Sequence, residues 1–339
     1  MSLEFEKENF DRLFEEAFEQ KSEEINEQLN RKILISMVGD VNSGKSSTIN
    51  KLMDKDLASV GAQPGETVQI QKYAYKENIV FVDTPGLDDV VEENSEVTIK
   101  YYQQSDVVLF FLNAAGTVLS DNELKNFRKI EKITSDIIIV LNKIDAADDV
   151  PNLVKYIEEH TNYNHPVVPI SSRTGENIGM LQSKLLEVLE KKSKDVLMAQ
   201  NLKDKSSIAN KWILAAGASS AAVGASPIPG SDFIPLTGIQ VGLMIKLSTL
   251  YEKPVSKENA KELIIATVVG NIGKTIFRQI VKFIPAAGSI VGASVAGATT
   301  VALGYAVKYM HEHNIELKAE QLKSIYEMFL KKEKDNPSI

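Results

Sequence analysis

Gly39-Asp40-Val41-Asn42-Ser43-Gly44-Lys45-Ser46 is the stretch that decides the fold. An apolar run, Lys32-Ile33-Leu34-Ile35-Ser36-Met37-Val38, leads into it, and a helix-compatible run from Lys45 to Met53 leads out. This is G-x-x-x-x-G-K-S in its required setting of strand, glycine-rich turn and helix. Glycines let the backbone curl until successive N–H groups converge on an anion, and the positive end of the following helix adds to them. Such a loop implies a bound phosphate. Gly39, Asn42, Ser43, Gly44, Lys45, Ser46 and Ser47 are the candidate binding residues. Lys45 reaches β- and γ-phosphate oxygens and acts on the reacting group, while the Ser46 hydroxyl is a Mg²⁺ ligand.

The pattern around the loop alternates. Apolar strand-like runs fall at 32–38, 79–82, 107–112, 137–141 and 167–170, with an alternating edge-strand stretch at 68–75. Helical stretches are expected at 45–53, 93–104, 120–133, 149–160 and 176–192. Alternation of this kind predicts an α/β domain with a mostly parallel, six-stranded sheet and helices on both faces. Ligands of such sheets bind at the carboxyl ends of the strands.

Three further motifs fall at those ends. Asp83-Thr84-Pro85-Gly86 follows the run 79–82, 38 residues after Lys45. Asp83 can hold Mg²⁺ through a water, and the Gly86 N–H can sense a γ-phosphate. Asn142-Lys143-Ile144-Asp145 follows the run 137–141. A carboxylate at Asp145 accepts two hydrogen bonds from the N1–H and 2-amino group of guanine. Adenine lacks that donor pair and would leave the carboxylate unpaired. Ser171-Ser172-Arg173 follows the run 167–170, where a backbone N–H can meet the guanine oxygen.

These residues resemble the translation-factor-like GTPases, in particular the Era/TrmE/Der group, over roughly 32–192. The resemblance sets five motifs on the chain: Gly39–Ser46, Pro64-Gly65-Glu66-Thr67, Asp83–Gly86, Asn142–Asp145 and Ser171–Arg173. It implies GTP and GDP as ligands, Mg²⁺ as cofactor and GTP hydrolysis as the activity. Thr67 becomes a Mg²⁺ ligand and γ-phosphate sensor, and segments 55–70 and 84–95 become nucleotide-ordered switches. The family more often has Thr or Val at the place of Glu66, and Ala-Lys at the place of Ser172-Arg173. Leu87 stands where Ras-like proteins carry a water-orienting Gln, which implies slow intrinsic hydrolysis. Asn42 stands where potassium-activated relatives carry a K⁺ ligand, which implies K⁺-stimulated hydrolysis.

Composition bounds the rest. The 339 residues exceed one typical domain. There is no cysteine, which excludes disulfides and thiolate chemistry and fits a reducing compartment. The acidic stretch Met1–Asn30 does not read as a secretory signal, so a cytoplasmic protein is expected, with peripheral membrane association as the alternative. His311 and His313 lie two apart and read as a solvated face. The net charge of −8 is uneven: residues 1–200 hold 22 Lys+Arg against 35 Asp+Glu (−13), and 201–339 hold 16 against 11 (+5). The shift marks a boundary near 195–205 and predicts domains at 1–30, 31–195 and 196–339. No clustered basic stripe is present, so nucleic acid is not expected as a partner. A protein effector, a membrane surface and a GTP-dependent dimer remain the expected kinds of association.

Residues 4–30 read as one amphipathic helix with Phe10, Leu13, Phe14, Ala17 and Phe18 on its apolar face, docked on the rest of the chain. Residues 193–210 are polar and helix-compatible, and read as a connector. Beyond it, 213–245 carries one charged residue, Asp232, and 283–307 carries none. Gly238/Gly242 and Gly288/Gly292 have the spacing that permits close helix contact. Ser226–Gly230 and Phe283–Pro285 read as breaks. Two readings stay open for this all-α region: a bundle buried by flanking helices at 257–282 and 314–333, or a membrane-associated unit. The run 227–237 resembles a helical domain that follows Era-like GTPase modules in some bacteria, and no biochemical role transfers with it.

Overall fold

The computed structural model describes residues 2–54, 71–84, 92–224, 233–268 and 295–325. The chain forms two compact units. One is continuous, Gln28–Asp204, and the other joins Met1–Glu27 to Lys205–Ile339.

The continuous unit is a six-stranded sheet of order β2-β3-β1-β4-β5-β6. Its strands are β1 (Ile33–Val38), β2 (Gln71–Lys76), β3 (Ile79–Asp83), β4 (Val107–Asn113), β5 (Ile137–Asn142) and β6 (Val167–Pro169). Only the β2–β3 pair at one edge is antiparallel; the other pairings are parallel. Strands β4 and β5 are apolar on both faces because both faces are covered. Val108, Phe110 and Leu112 join Ile137, Ile139 and Leu141 in a core with Tyr102, Phe127, Ile130 and Ile157. These last four come from α3 (Glu92–Gln104), α4 (Asp121–Glu131) and α5 (Val150–His160). The residues of opposite parity, Leu109, Phe111, Ile138 and Val140, are buried too. Buried Leu52, Leu185 and Leu189 come from α2 (Lys45–Met53) and α6 (Ile178–Glu190).

Local chemistry starts the helices where they are needed. Ser120 and Glu123 form a reciprocal capping box at α4. Asp149 caps α5, with Pro151 in its first turn. The helix-compatible connector holds α7 (Asp195–Gln200), whose Val196, Leu197, Met198 and Ala199 are buried. Lys194, just before α7, grips both Asp106 oxygens at 2.7 and 2.8 Å, while Asp106 Oδ2 accepts the Leu34 N–H at 2.9 Å. Burial and this ion pair fix the short helix in place.

The helical unit contains most of α1 (Ser2–Asn30), with α8 (Lys205–Gly224), α9 (Phe233–Leu250), α10 (Lys257–Val268) and α11 (Val295–Glu312). Lys261–Asp11 (2.9 Å) and Lys257–Glu19 (2.8 Å) join α10 to α1. Helices α8, α9 and α11 pack on one another, most extensively α8 against α11. The close contacts of that pair are made at glycines other than Gly238 and Gly242. A Cβ on Gly304 would meet Ile213 Cγ1 at 2.7 Å, and one on Gly297 would meet Ala221 Cβ at 2.9 Å. Among the described residues, one on Gly238 would meet nothing within 4 Å, and one on Gly242 would meet only the Lys21 side chain. Gly288 and Gly292, both expected breaks and most of the run 227–237 lie outside the described residues, as do the ends of the helices expected at 257–282 and 314–333.

His311 corrects the expected solvated face. It is 2% exposed, its Nε2 lies 3.0 Å from Ser248 Oγ, and its ring stacks on Tyr251. Burial, with the Lys253 ammonium adding, pushes its pKa down to about 4. His313 is exposed. Other polar groups also cross this interior: Ser220 Oγ, Thr300 Oγ1 and Gln240 Nε2 form a buried chain with steps of 2.9 and 3.2 Å. Among the described residues no helix is long and apolar enough to cross a membrane.

Candidate functional site

The parallel register brings the ends of four strands to one rim. Met37 pairs with Asp83, and Asn113 pairs with Asn142. From β1 the chain turns through Gly39–Gly44 and enters α2. Gly39 (φ 149°), Asn42 (φ 66°) and Gly44 (φ 92°) all take positive φ. A Cβ on Gly39 would lie 2.6 Å from the Phe111 carbonyl oxygen, and one on Gly44 would lie 2.0 Å from Asn142 Nδ2. Both glycines are therefore required by close approach as well as by dihedral. Ser43 is buried, and its Oγ has no hydrogen-bond partner among the described residues.

Lys45 curls over this loop. Its ammonium donates to Gly39 O at 2.7 Å and Asp40 O at 3.2 Å, and lies 3.6 Å from Asp83 Oδ1. The last distance is an ion pair too long for a hydrogen bond. Asp83 Oδ1 is buried without a hydrogen-bond partner among the described residues. Burial raises the Asp83 pKa, and Lys45 opposes the rise. Ser46 and Ser47 are half-buried in the first turn of α2. The buried Asp83 carboxylate oxygen and the Ser46 hydroxyl are hard oxygen ligands of the kind that suit a divalent cation, and the Lys45 ammonium suits the phosphate that would accompany it.

Tyr73 of β2 is a site residue that the sequence reading missed. It shares a side-chain hydrogen bond with Ser46, and burial followed by the Asp83 charge raises its pKa. The signal was present in the pairing: Tyr73 sits opposite Phe81, two residues before Asp83 on the same face. Next to Asp83, Thr84 Oγ1 donates to Met37 O at 2.9 Å and lies 2.9 Å from the Tyr102 hydroxyl. Thr67 and Gly86 lie outside the described residues.

At the other end of the rim, Asn142 is fully buried and ties two loops together. Its Nδ2 donates to Ser43 O at 2.9 Å and to Ser172 Oγ at 3.2 Å, and its Oδ1 accepts the Ser172 N–H at 3.0 Å. Lys143 takes a left-handed φ of 66° and begins the short turn Ile144–Ala146. Asp145 accepts from Ser171 Oγ at 2.6 Å and forms an ion pair with Arg173. The Ser171 hydrogen bond, opposed by desolvation and helped by Arg173, holds the Asp145 carboxyl below its ordinary range. The structure thus brings Gly39, Asn42–Ser47, Asp83, Asn142, Lys143, Asp145, Ser171 and Ser172 to one edge of one sheet. The arrangement can cradle an anion at the loop and present a carboxylate to a donor pair at the far end.

Residues 34–143 match the family model described as "50S ribosome-binding GTPase". The unit Gln28–Asp204, which contains the matched residues, is similar to P-loop GTPase domains of the Era/Der type. GTPase Der of Thermosipho africanus is 30% identical over 181 residues, which cover 51% of this chain and 40% of that protein. GTPase Era of Aquifex aeolicus is 29% identical over 171 residues, covering 46% and 56%. The chain thus spans about half the length of these curated relatives. A solved structure, Era in complex with MgGDPNP and nucleotides 1506–1542 of 16S ribosomal RNA, is 23% identical, with coverage of 47% and 57% and a TM-score of 0.39.

Proposed function

We propose that the chain binds GTP with Mg²⁺, hydrolyses it to GDP and phosphate, and uses the two nucleotide states to switch its helical unit. The observation that supports this most is the joining of the phosphate loop to the base-reading loop by Asn142, which bonds to Ser43 across 99 residues of sequence. In this reading the loop N–H groups and Lys45 hold the phosphates. Ser46 and Asp83 hold Mg²⁺, which supplies charge neutralisation at the β- and γ-oxygens. Thr67 and Gly86 sense the γ-phosphate. Asn142 and Lys143 shape the base pocket, Asp145 accepts from guanine, and Ser171 and Ser172 close it. Leu87 cannot orient water, so the intrinsic rate is slow. Asn42 carries a K⁺ that adds positive charge near the phosphates, and equal rates in KCl and NaCl would remove that element.

The substitution Asp145→Asn tests the core of the reading. It replaces an acceptor oxygen with a donor, so affinity should move from guanosine to xanthosine nucleotides. Retained GTP affinity in the variant would refute the guanine assignment. A ribosomal partner is the second reading, favoured by the description of the matching family model. It runs against the missing basic stripe, and co-sedimentation with ribosomal subunits in each nucleotide state decides it. A membrane output, if the helical unit has one, is peripheral for the described helices.

A further inference from the structure

Both oxygens of Asp145 are engaged within the chain: Ser171 Oγ donates to Oδ1 at 2.6 Å, and Arg173 Nη2 pairs with Oδ2. The two partners differ in freedom. Ser171 is fully buried, its Oγ accepts the Thr174 N–H at 3.1 Å, and its carbonyl accepts the Gly175 N–H at 2.8 Å. It cannot leave without dismantling the loop. The Arg173 side chain is 76% exposed, whereas that of Asp145 is 12% exposed. Arg173 can therefore swing into water, and Asp145 then needs a replacement partner.

The chemistry of that replacement is specific. A guanidinium offers N–H donors on nitrogens that share one carbon. Guanine offers the same fragment, since N1–H and the 2-amino group share C2. We propose that Arg173 competes with the guanine base for Asp145 and thereby sets how strongly the site separates guanine from bases that lack the 2-amino group. The inference rests on the nucleotide reading above. Guanine needs both Asp145 oxygens and displaces Arg173. Hypoxanthine donates only N1–H and leaves one oxygen to Arg173. Arg173 thus weakens guanine binding selectively, and it re-covers the carboxylate as the base departs, which speeds release.

The test is calorimetric affinity for GDP, IDP and ADP, with GDP release rates, in wild type, Arg173→Ala and Arg173→Gln. An exposed ion pair of this kind corresponds to about a two- to fivefold effect. The expected result is GDP binding about two- to fivefold tighter and released correspondingly more slowly in both variants. IDP affinity should be nearly unchanged, so the GDP-to-IDP ratio rises. Arg173→Lys, which keeps the charge without the fork, should fall between. Weaker GDP binding in both variants would mean that Arg173 preorganises Asp145, and would overturn the proposal. So would an unchanged ratio. Wild type preferring ADP to GDP would instead overturn the guanine reading, and this inference with it.

Discussion

Removing the Asn142 side chain should uncouple the two halves of the nucleotide site. Asn142→Ala deletes three hydrogen bonds, one buried at 2.9 Å and two part-buried at 3.2 and 3.0 Å. It strands two backbone groups, Ser43 O and Ser172 N–H. Each unsatisfied buried group costs about 1–3 kcal/mol, so the sheet unit should lose about 2–5 kcal/mol. Asn142→Asp retains the acceptor for Ser172 N–H but sets a carboxylate oxygen against Ser43 O. It should be as destabilising at neutral pH and recover in part when protonation restores a donor. Urea unfolding followed by circular dichroism measures the loss. Hydrogen exchange at 43–48 and 170–175 locates it, because both loops should exchange faster together. Trp212 is the only tryptophan and lies in α8, so its fluorescence reports the helical unit and should not change. A sheet unit within about 0.5 kcal/mol of wild type in the Ala variant would refute the coupling, since that is the range of ordinary surface substitutions.

The helical unit should weaken in acid through His311. Its pKa falls from 6.5 to about 4 on folding, so the neutral form is favoured by the fold. That stability is complete above pH 6.5 and declines as pH falls, and the loss amounts to about 3 kcal/mol once the pH is below 4. Trp212-detected unfolding of wild type against His311→Asn should show the difference narrowing across that window, and a constant difference would count against a buried neutral imidazole. The glycines give a paired contrast. Gly304→Val, aimed at Ile213, should cost about 1–3 kcal/mol or more by overpacking, while Gly238→Ala, in open space, should gain up to about 1 kcal/mol from helix propensity. The reverse order would refute the α8–α11 packing. Flotation of the full chain with anionic or neutral liposomes should fail with GDP and with a non-hydrolysable GTP analogue, and flotation in the analogue state alone would show that the helical unit opens onto a bilayer.

Much of the sheet unit was legible because its signals are local. Val107-Val108-Leu109-Phe110-Phe111-Leu112 is apolar at every position, and only a strand covered on both faces needs that. The phosphate loop and Asn142–Asp145 carry their chemistry in adjacent residues. What escaped depended on partners distant in sequence. Tyr73 became a site residue only once β2 was paired with β3. His311 read as solvated because no periodicity reveals Ser248 and Tyr251 beneath it. Gly238 has the favoured spacing, yet which face of α9 meets another helix is a tertiary fact. Glycines that do pack closely, Gly217 of α8 against Val301 and Gly297 and Gly304 of α11 against Ala221 and Ile213, stand out only against their partners.

Because the sheet unit interrupts the helical one, synthesis imposes a delay on the latter. Helix α1 leaves the ribosome before its partners exist: 177 residues, Gln28–Asp204, separate it from the rest of its unit. At about 5–20 residues per second, Phe10, Phe14 and Phe18 wait about 9–35 s before α8 to α11 begin to emerge. The sheet unit has time to fold in that interval, while an aromatic stripe stays exposed. The acidic opposite face of α1, whose Asp11 and Glu19 later pair with α10, keeps that nascent segment charged and apart from its neighbours until the helical unit is complete.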